Sequence, residues 1–427
     1  MAWVFLAVSI AFAVLMVNAF YPVKKEPFTV ISFALGWIPS ELPVQVGLVE
    51  VAATLAFGLA GALHGWSGWV GLAIAAGSLA GYIGLTVVAH QAGALVNAAL
   101  ERATEGGSTR AIGHDGFDPK VVWNRWWRLS IAVPFRWMGI RRTRNIDYWG
   151  DADNRHRLDV LSRRRVRPEG APVLVYVHGG AWVIGEKRQQ GIPMMHELVR
   201  RGWVCVSINY RLSPRATWPD HIVDCKRAIA WVRGHIAEYG GDPTFIAVSG
   251  GSAGGHLSSL LALTPNNPDW QPGFEEMDTS VDACLPFYGV YDMTVDPRRG
   301  GAYGPGLVDL LERRVMKATM ADDRQLFEQA SPDRRVTANA PPMFVCHGVN
   351  DTLVPIAVAR YFVDRLREAS RAPVAYVELP RAQHAFDVLA SIRCRHATMG
   401  AVRFLEAMRV RADNRPDTRS IPARNPG

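Results

Sequence analysis

The spacing of hydrophobic positions changes near residue 145, and the change divides the chain. Before it, apolar residues run almost without interruption. Residues 3–21, 44–63 and 66–89 each approach or exceed the roughly 20 residues that a helix needs to cross hydrocarbon. Three membrane-spanning helices are therefore predicted within residues 1–100. No Lys or Arg precedes the first run, and no small-x-small cleavage site comes before Tyr21-Pro22. These features point to an uncleaved helix rather than a signal peptide. The short His64-Gly65 link makes the second and third runs an antiparallel hairpin. Phe28 to Ser40 is apolar but too short to span, and suits an interfacial or re-entrant piece. Gly77 and Gly81 have the small-x-x-x-small spacing that lets helices approach closely. Glu50, inside the second run, reads either as a functional carboxylate or as a residue near a helix end reaching toward headgroups.

Beyond residue 145 the apolar runs become short and rich in β-branched residues. They fall at 173–177, 204–208, 245–248, 283–288, 343–346 and 375–379. Amphipathic stretches near 192–201, 219–239, 253–263, 355–369 and 391–409 lie between or after them. This alternation predicts a doubly wound, mostly parallel α/β sheet over 145–410, with chemistry at the carboxyl ends of its strands. Residues 411–427 are polar and Pro-rich, and a disordered tail is expected there.

Charge sharpens this division. Residues 1–100 hold only Lys24, Lys25, Glu26, Glu41 and Glu50, whereas 101–144 hold nine Lys/Arg against four Asp/Glu. The positive-inside rule then places Lys24 and Lys25 in the cytoplasm, the uncharged hairpin at His64 outside, and the basic 101–144 segment inside. An N-out, three-span anchor with a cytoplasmic catalytic domain is the expectation. Trp123, Trp126, Trp127 and Trp137 interleaved with Arg125, Arg128, Arg136, Arg141, Arg142 and Arg144 suit a juxtamembrane segment lying on anionic lipid; a packed linker with solvated arginines fits equally. The net charge of +8 thus suggests lipid headgroups, and no zinc-finger spacing, RNA-binding motif or long basic run favours nucleic acid. Five widely spaced cysteines without a C-x-x-C pair suggest buried thiols, with no metal or redox site.

The candidate chemistry starts at V-S-G-G-S-A-G-G-H, residues 248–256, where Ser252 follows the apolar run 245–248 in a G-x-S-x-G frame. A strand reversing so sharply into a helix strains the serine and exposes its hydroxyl. A serine hydroxyl is a poor nucleophile until a base and an orienting carboxylate assist it. In the order Ser, acid, His, the sequence offers Asp351 after the strand at 343–346 and His384 after the strand at 375–379. The competing bases are His396, expected in a helix, and His347, beside Asp351; the competing acid is Asp387. For the oxyanion hole, His178-Gly179-Gly180-Ala181-Trp182 follows the strand at 173–177. The expected donors are the amides of Gly179, Gly180 and Ala253, with His178 structural.

With H-G-G-A-W at 178–182, N-Y-R-L-S-P at 209–214, G-G-D-P at 240–243 and G-G-S-A-G-G at 250–255, the domain resembles the hormone-sensitive-lipase group of α/β-hydrolases. Its membrane-anchored layout is similar to mycobacterial Lip-type esterase/lipases. The resemblance implies carboxylic-ester hydrolysis through an acyl-enzyme, without cofactor or metal. Ala181 stands where many members have a third glycine, Gly251 where many have aspartate, and H-G-x-x-D-x-x-V-P around Asp351 is closer to formamidases and peptidase-like relatives. Acyl transfer or amide hydrolysis on the same triad, and a non-catalytic membrane-tethered binding protein, are the other readings. Residues 289–341 form either part of a cap over the acyl pocket or a scaffold over the sheet. A membrane-apposed serine hydrolase is expected to act on hydrophobic or lipid esters, while oligomeric state is not legible.

Overall fold

The computed structural model describes residues 1–103, 139–165, 168–301 and 303–414. Four apolar helices come first: α1 (Ala2–Phe20), α2 (Thr29–Glu41), α3 (Pro43–Leu59) and α4 (Trp66–Ala103). By length and composition α1 and α4 can each cross a membrane. The α2–α3 pair, bent by 90° at Leu42, could supply a third crossing only if taken as one broken span. The apolar piece expected at 28–40 is thus a helix packed as its own arm. Leu42 and Pro43 explain the break: proline sets the first turn of α3 and cannot continue the ladder of α2.

Two sequence expectations change here. First, α4 runs to Ala103 rather than ending near 89. Its 38 residues extend about 57 Å against a hydrocarbon layer of roughly 30 Å. The C-terminal end of the helix enters the core of the sheet, where Ala92, Val96, Ala99 and Leu100 pack with Leu285, Phe344 and Leu405. Second, Glu50 does not reach for headgroups. It is 1% exposed, and one carboxylate oxygen accepts the hydroxyl of Ser78 from α4. Of the two spaced glycines, only Gly81 marks a close approach, since a Cβ there would sit 2.4 Å from Met16 Sδ on α1.

The catalytic unit is one eight-stranded sheet. Its strands are β1 (Ile140–Asp147), β2 (Arg157–Arg163), β3 (Ala171–Val177), β4 (Val204–Ile208), β5 (Gly241–Gly251), β6 (Ala283–Phe287), β7 (Met343–Gly348) and β8 (Val374–Leu379). The order is β1-β2-β4-β3-β5-β6-β7-β8; β1/β2 and β2/β4 are antiparallel and the remainder parallel. Alternation along β3 feeds two cores. Val173, Val175 and Val177 face one side with α6 (Asp220–His235), α7 (Ala253–Leu263) and α10 (Ile356–Ala369). Leu174 and Tyr176 face the other with α5 (Ile192–Arg200), α11 (Ile392–Asp413) and the end of α4.

The sheet starts with an antiparallel strand at Ile140, five residues before the expected start at 145. Arg141, Arg142 and Arg144 lie in edge strand β1, not in a membrane-surface segment. Trp123, Trp126, Trp127 and Trp137 lie outside the described residues, as do residues 415–427; α11 runs to Asp413, beyond the expected end at 410. In the 289–341 stretch are the short helices α8 (Pro305–Leu310) and α9 (Arg324–Gln329). Its Tyr303, Leu311, Val315 and Met316 are buried in the same cluster as Leu257 and Leu260 of α7, so this part is scaffold.

The helical arm and the sheet share buried polar contacts. Glu41, at the end of α2, accepts the hydroxyl of Ser391 at 2.9 Å and lies 3.5 Å from Nη1 of Arg393 on α11. Both charged side chains are fully buried. Arg393 Nε also donates to Pro380 O at 3.0 Å. Glu41→Ala, which strands the guanidinium, is expected to destabilise the full chain by about 3 kcal/mol, with Glu41→Ala/Arg393→Met recovering part of the loss. Thermal unfolding in detergent, followed by circular dichroism, measures both.

Candidate active site

Ser252 ends β5 and begins α7 at φ 58° and ψ −122°. This left-handed conformation is costly for a residue with a Cβ, and it is held because the surrounding packing leaves no alternative. The Ser252 N–H donates to Phe287 O of β6 at 3.0 Å. A Cβ at Gly254 would fall 2.1 Å from Val177 O, so α7 can approach β3 this closely only with glycine there. Ten non-glycine residues have positive φ among the described residues. Six of them, Ala181, Trp182, Ser252, Tyr288, Arg381 and Ala385, lie on the loops that converge at this edge of the sheet. Backbone strain concentrates where side chains must be aimed.

Asp351 lies on the loop after β7 and His384 on the loop after β8, where the strand reading puts them. His384 Nδ1 is 2.7 Å from Asp351 Oδ2. Oδ1 of the same carboxylate accepts the N–H of Leu353 at 2.9 Å and of Val354 at 2.8 Å. His347 closes the other side, with Nε2 3.2 Å from Oδ2. Burial would push the Asp351 carboxyl up, but the charge of His384 and hydrogen bonds from both histidines hold it well below the ordinary range. The carboxylate is therefore ionised and fixed. With Nδ1 committed to it, His384 presents Nε2, which has no partner among the described residues, and the Ser252 hydroxyl is likewise unbonded.

The competing residues are placed elsewhere. His396 is in α11, packed on α4, where a Cβ at Gly93 would come 2.8 Å from its ring. His347 is fully buried behind Asp351. Asp387 accepts the hydroxyl of Tyr288; burial raises its pKa, against the Tyr288 bond and the charge of His384. Tyr288 carried no signal in the sequence. Its ring lies 4.6 Å from that of His384, and a Cβ at Gly251 would meet its hydroxyl at 2.5 Å. The tyrosine thus fills the space that Gly251 leaves open, and touches both the elbow and the histidine.

The loop after β3 differs from expectation at one position. Gly179, predicted as an oxyanion donor, gives its N–H to Gln190 Oε1 at 2.7 Å. The amides of Gly180, Ala181 and Ala253 have no acceptor among the described residues. The loop adjoins the elbow, since a Cβ at Gly179 would lie 3.2 Å from Ser252 Cβ. His178 stacks on Tyr210 with ring centroids 4.5 Å apart, and its Nδ1 is 2.7 Å from Gly179 O. Burial pulls its pKa down to about 4, so the ring is neutral and structural. Trp182 donates to His256 Nδ1 at 3.2 Å, and His256 Nε2 lies 2.7 Å from Ala330 O, pinning the loop to the 289–341 scaffold.

Among the described residues no cluster of His, Cys, Asp or Glu could hold a metal ion. The five cysteines are free and buried.

Comparison with known proteins agrees with this architecture. The family model BD-FAE matches residues 158–366. The probable carboxylic ester hydrolase LipM of Mycobacterium tuberculosis is 43% identical over 414 residues, covering 94% of this chain and 92% of that protein. Esterase LipQ of the same organism is 49% identical over 265 residues, covering 62% of each. Among solved structures, the Thermogutta terrifontis esterase Est2 with propionate bound aligns with a TM-score of 0.51 at 26% identity, covering 64% of this chain and 96% of that one. The extensive match to LipM reaches through the apolar helices as well as the sheet, and the chain belongs to this Lip family of α/β-hydrolase-fold carboxylic ester hydrolases.

Proposed function

We propose that this ester hydrolase works from within a membrane, through a Ser252–His384–Asp351 triad, on hydrophobic or lipid esters. The observation that carries the triad is the 2.7 Å contact between His384 Nδ1 and Asp351 Oδ2 at the edge where the elbow presents Ser252. In this reading Ser252 Oγ attacks the ester carbonyl carbon while its proton passes to His384 Nε2. Asp351 stabilises the resulting imidazolium and keeps the ring in register. The tetrahedral oxyanion is received by the amides of Gly180, Ala181 and Ala253, with Gly179 serving the loop through Gln190. Collapse breaks the C–O bond to the alcohol, which leaves with the proton from His384. Water then attacks the acyl-enzyme by the same steps, releasing the acid and restoring Ser252.

Membrane placement is supported by which ends of the helices lie together. Trp3 and Trp66 have ring centroids 5.2 Å apart, which places the start of α1 beside the hairpin that opens α4. At the opposite ends, Lys24 Nζ donates to Val349 O at 2.8 Å beside the acid loop. Leu100 of α4 enters the catalytic core there too. Lys24, Lys25 and the catalytic domain therefore share one side, which the positive-inside rule makes cytoplasmic. The solved Est2 complexes hold propionate and butyrate, both short acids. The contiguity of this chain's site with apolar helices favours longer, membrane-resident acyl groups.

Ser252→Ala is expected to lower kcat on p-nitrophenyl butyrate by about 10⁴-fold or more and to abolish fluorophosphonate labelling. Retained labelling would remove the nucleophile from position 252. Asp351→Asn should keep the fold, judged by circular dichroism, yet cut kcat by about 10³ to 10⁴-fold, because the imidazole is then held in the wrong tautomer. For topology, the native thiols being buried, Ala60→Cys should react with an impermeant maleimide in intact cells and Glu368→Cys only after permeabilisation. The reverse pattern overturns the orientation.

A further inference from the structure

Helix α2 has a property that neither the anchor nor the hydrolase needs alone. Its 13 residues extend about 20 Å, too short to cross hydrocarbon. Along one face it buries the small residues Ser32, Gly36, Pro39 and Ser40. Ser32 and Gly36 on that face pack on Asn18 of α1, while Thr29 and Trp37 reach the two loops carrying Asp351 and His384. Thr352 Oγ1 donates to Thr29 O at 3.0 Å, and Trp37 Nε1 donates to Ala385 O at 3.1 Å. The Phe33 ring meets His384 edge-on at 6.3 Å between centroids, and stacks on Trp37 at 5.7 Å.

The other face of α2 presents Val30, Ile31, Leu35 and Ile38 at 61%, 56%, 41% and 49% exposure. No polar residue interrupts these positions, and α1 and α3 pack on the same helix. An exposed row of branched aliphatic residues on a helix joined to spanning helices is a face for hydrocarbon. One short helix thus has aromatic rings against the histidine on its inner side and lipid-compatible side chains on its outer side.

We infer that α2 is the specificity wall of the active site: Phe33 and Trp37 contact the acyl chain of a membrane-resident long-chain ester, whose far end stays in hydrocarbon along Val30, Ile31, Leu35 and Ile38. The inference rests on the triad and membrane placement proposed above. Its physical basis is continuity. A long acyl chain drawn fully into water would lose favourable burial with every CH₂ exposed. A wall that is apolar from His384 to the lipid face lets the carbonyl reach Ser252 while the chain stays out of water. The helix is fixed for this role at both ends, by Thr352 Oγ1 on Thr29 O at its start and by Glu41 with Ser391 and Arg393 at its end.

The test uses the full chain in liposomes, with p-nitrophenyl acetate and p-nitrophenyl decanoate as probes. Phe33→Ala is expected to lower kcat/KM for the decanoate by about tenfold or more, through KM, while the acetate changes by less than about threefold. Phe33→Leu, which keeps an apolar side chain, should restore most of the decanoate rate. Equal losses on both esters, or no change on either, would overturn the assignment. If Phe33→Ala does not fold, judged by fluorophosphonate labelling at Ser252, Phe33→Trp serves instead. The bulkier ring should depress the decanoate selectively, and the same two results count against the wall. Failure of the underlying reading is distinguishable, because Ser252→Ala would then leave hydrolysis of both probes intact.

Discussion

Three consecutive residues tie the molecule together. Asn350 donates to the carbonyls that end α1, Asp351 holds His384, and Thr352 donates to the carbonyl that opens α2. The central carboxylate accepts from the His384 imidazole and from two amides of its own loop, with the His347 ring 3.2 Å away on its other side, so it stays ionised although fully buried. A buried charge of this kind is tolerated only when its lone pairs are satisfied. That requirement fixes the loop, and the loop fixes the apolar helices against the catalytic edge. The apolar helices and the active site therefore share a single hydrogen-bonded junction.

The elements that the sequence makes legible are those with one dominant physical cause. Parallel strands buried on both faces have to be short, continuous apolar runs, and β3 to β8 are found where those runs lie. The elbow is legible for the opposite reason. It needs near-absence of side chains around one exposed hydroxyl, which gives Ser252 its glycine frame. Asp351 and His384 follow from chain order on late strands, and their 2.7 Å contact needs no adjustment of that placement.

What escaped notice depends on partners distant in sequence. Strand β1 is Arg-rich and lies at the sheet edge, so its alternation is weak and its residues read as basic linker. Gln190 has no local pattern marking it as the acceptor of the Gly179 amide. Tyr288 looks like the last residue of a buried strand. Only the space above Gly251 and the nearby Asp387 give its hydroxyl a role. For α2, length and hydropathy indicated a non-spanning apolar piece, but nothing in residues 28–40 reveals that it lies on loops more than 300 positions later.

The continuation of α4 into the sheet's second core changes what counts as a domain. Val96, Ala99 and Leu100 occupy the same layer as Phe344, Ala401 and Leu405, and a Cβ at Gly400 would lie 2.3 Å from Val96 Cγ1. A fragment begun at Ile140 would uncover that layer along with the resting place of α2. The enzyme cannot be separated from its apolar helices by cutting a tether, because the end of α4 is a wall of its own interior.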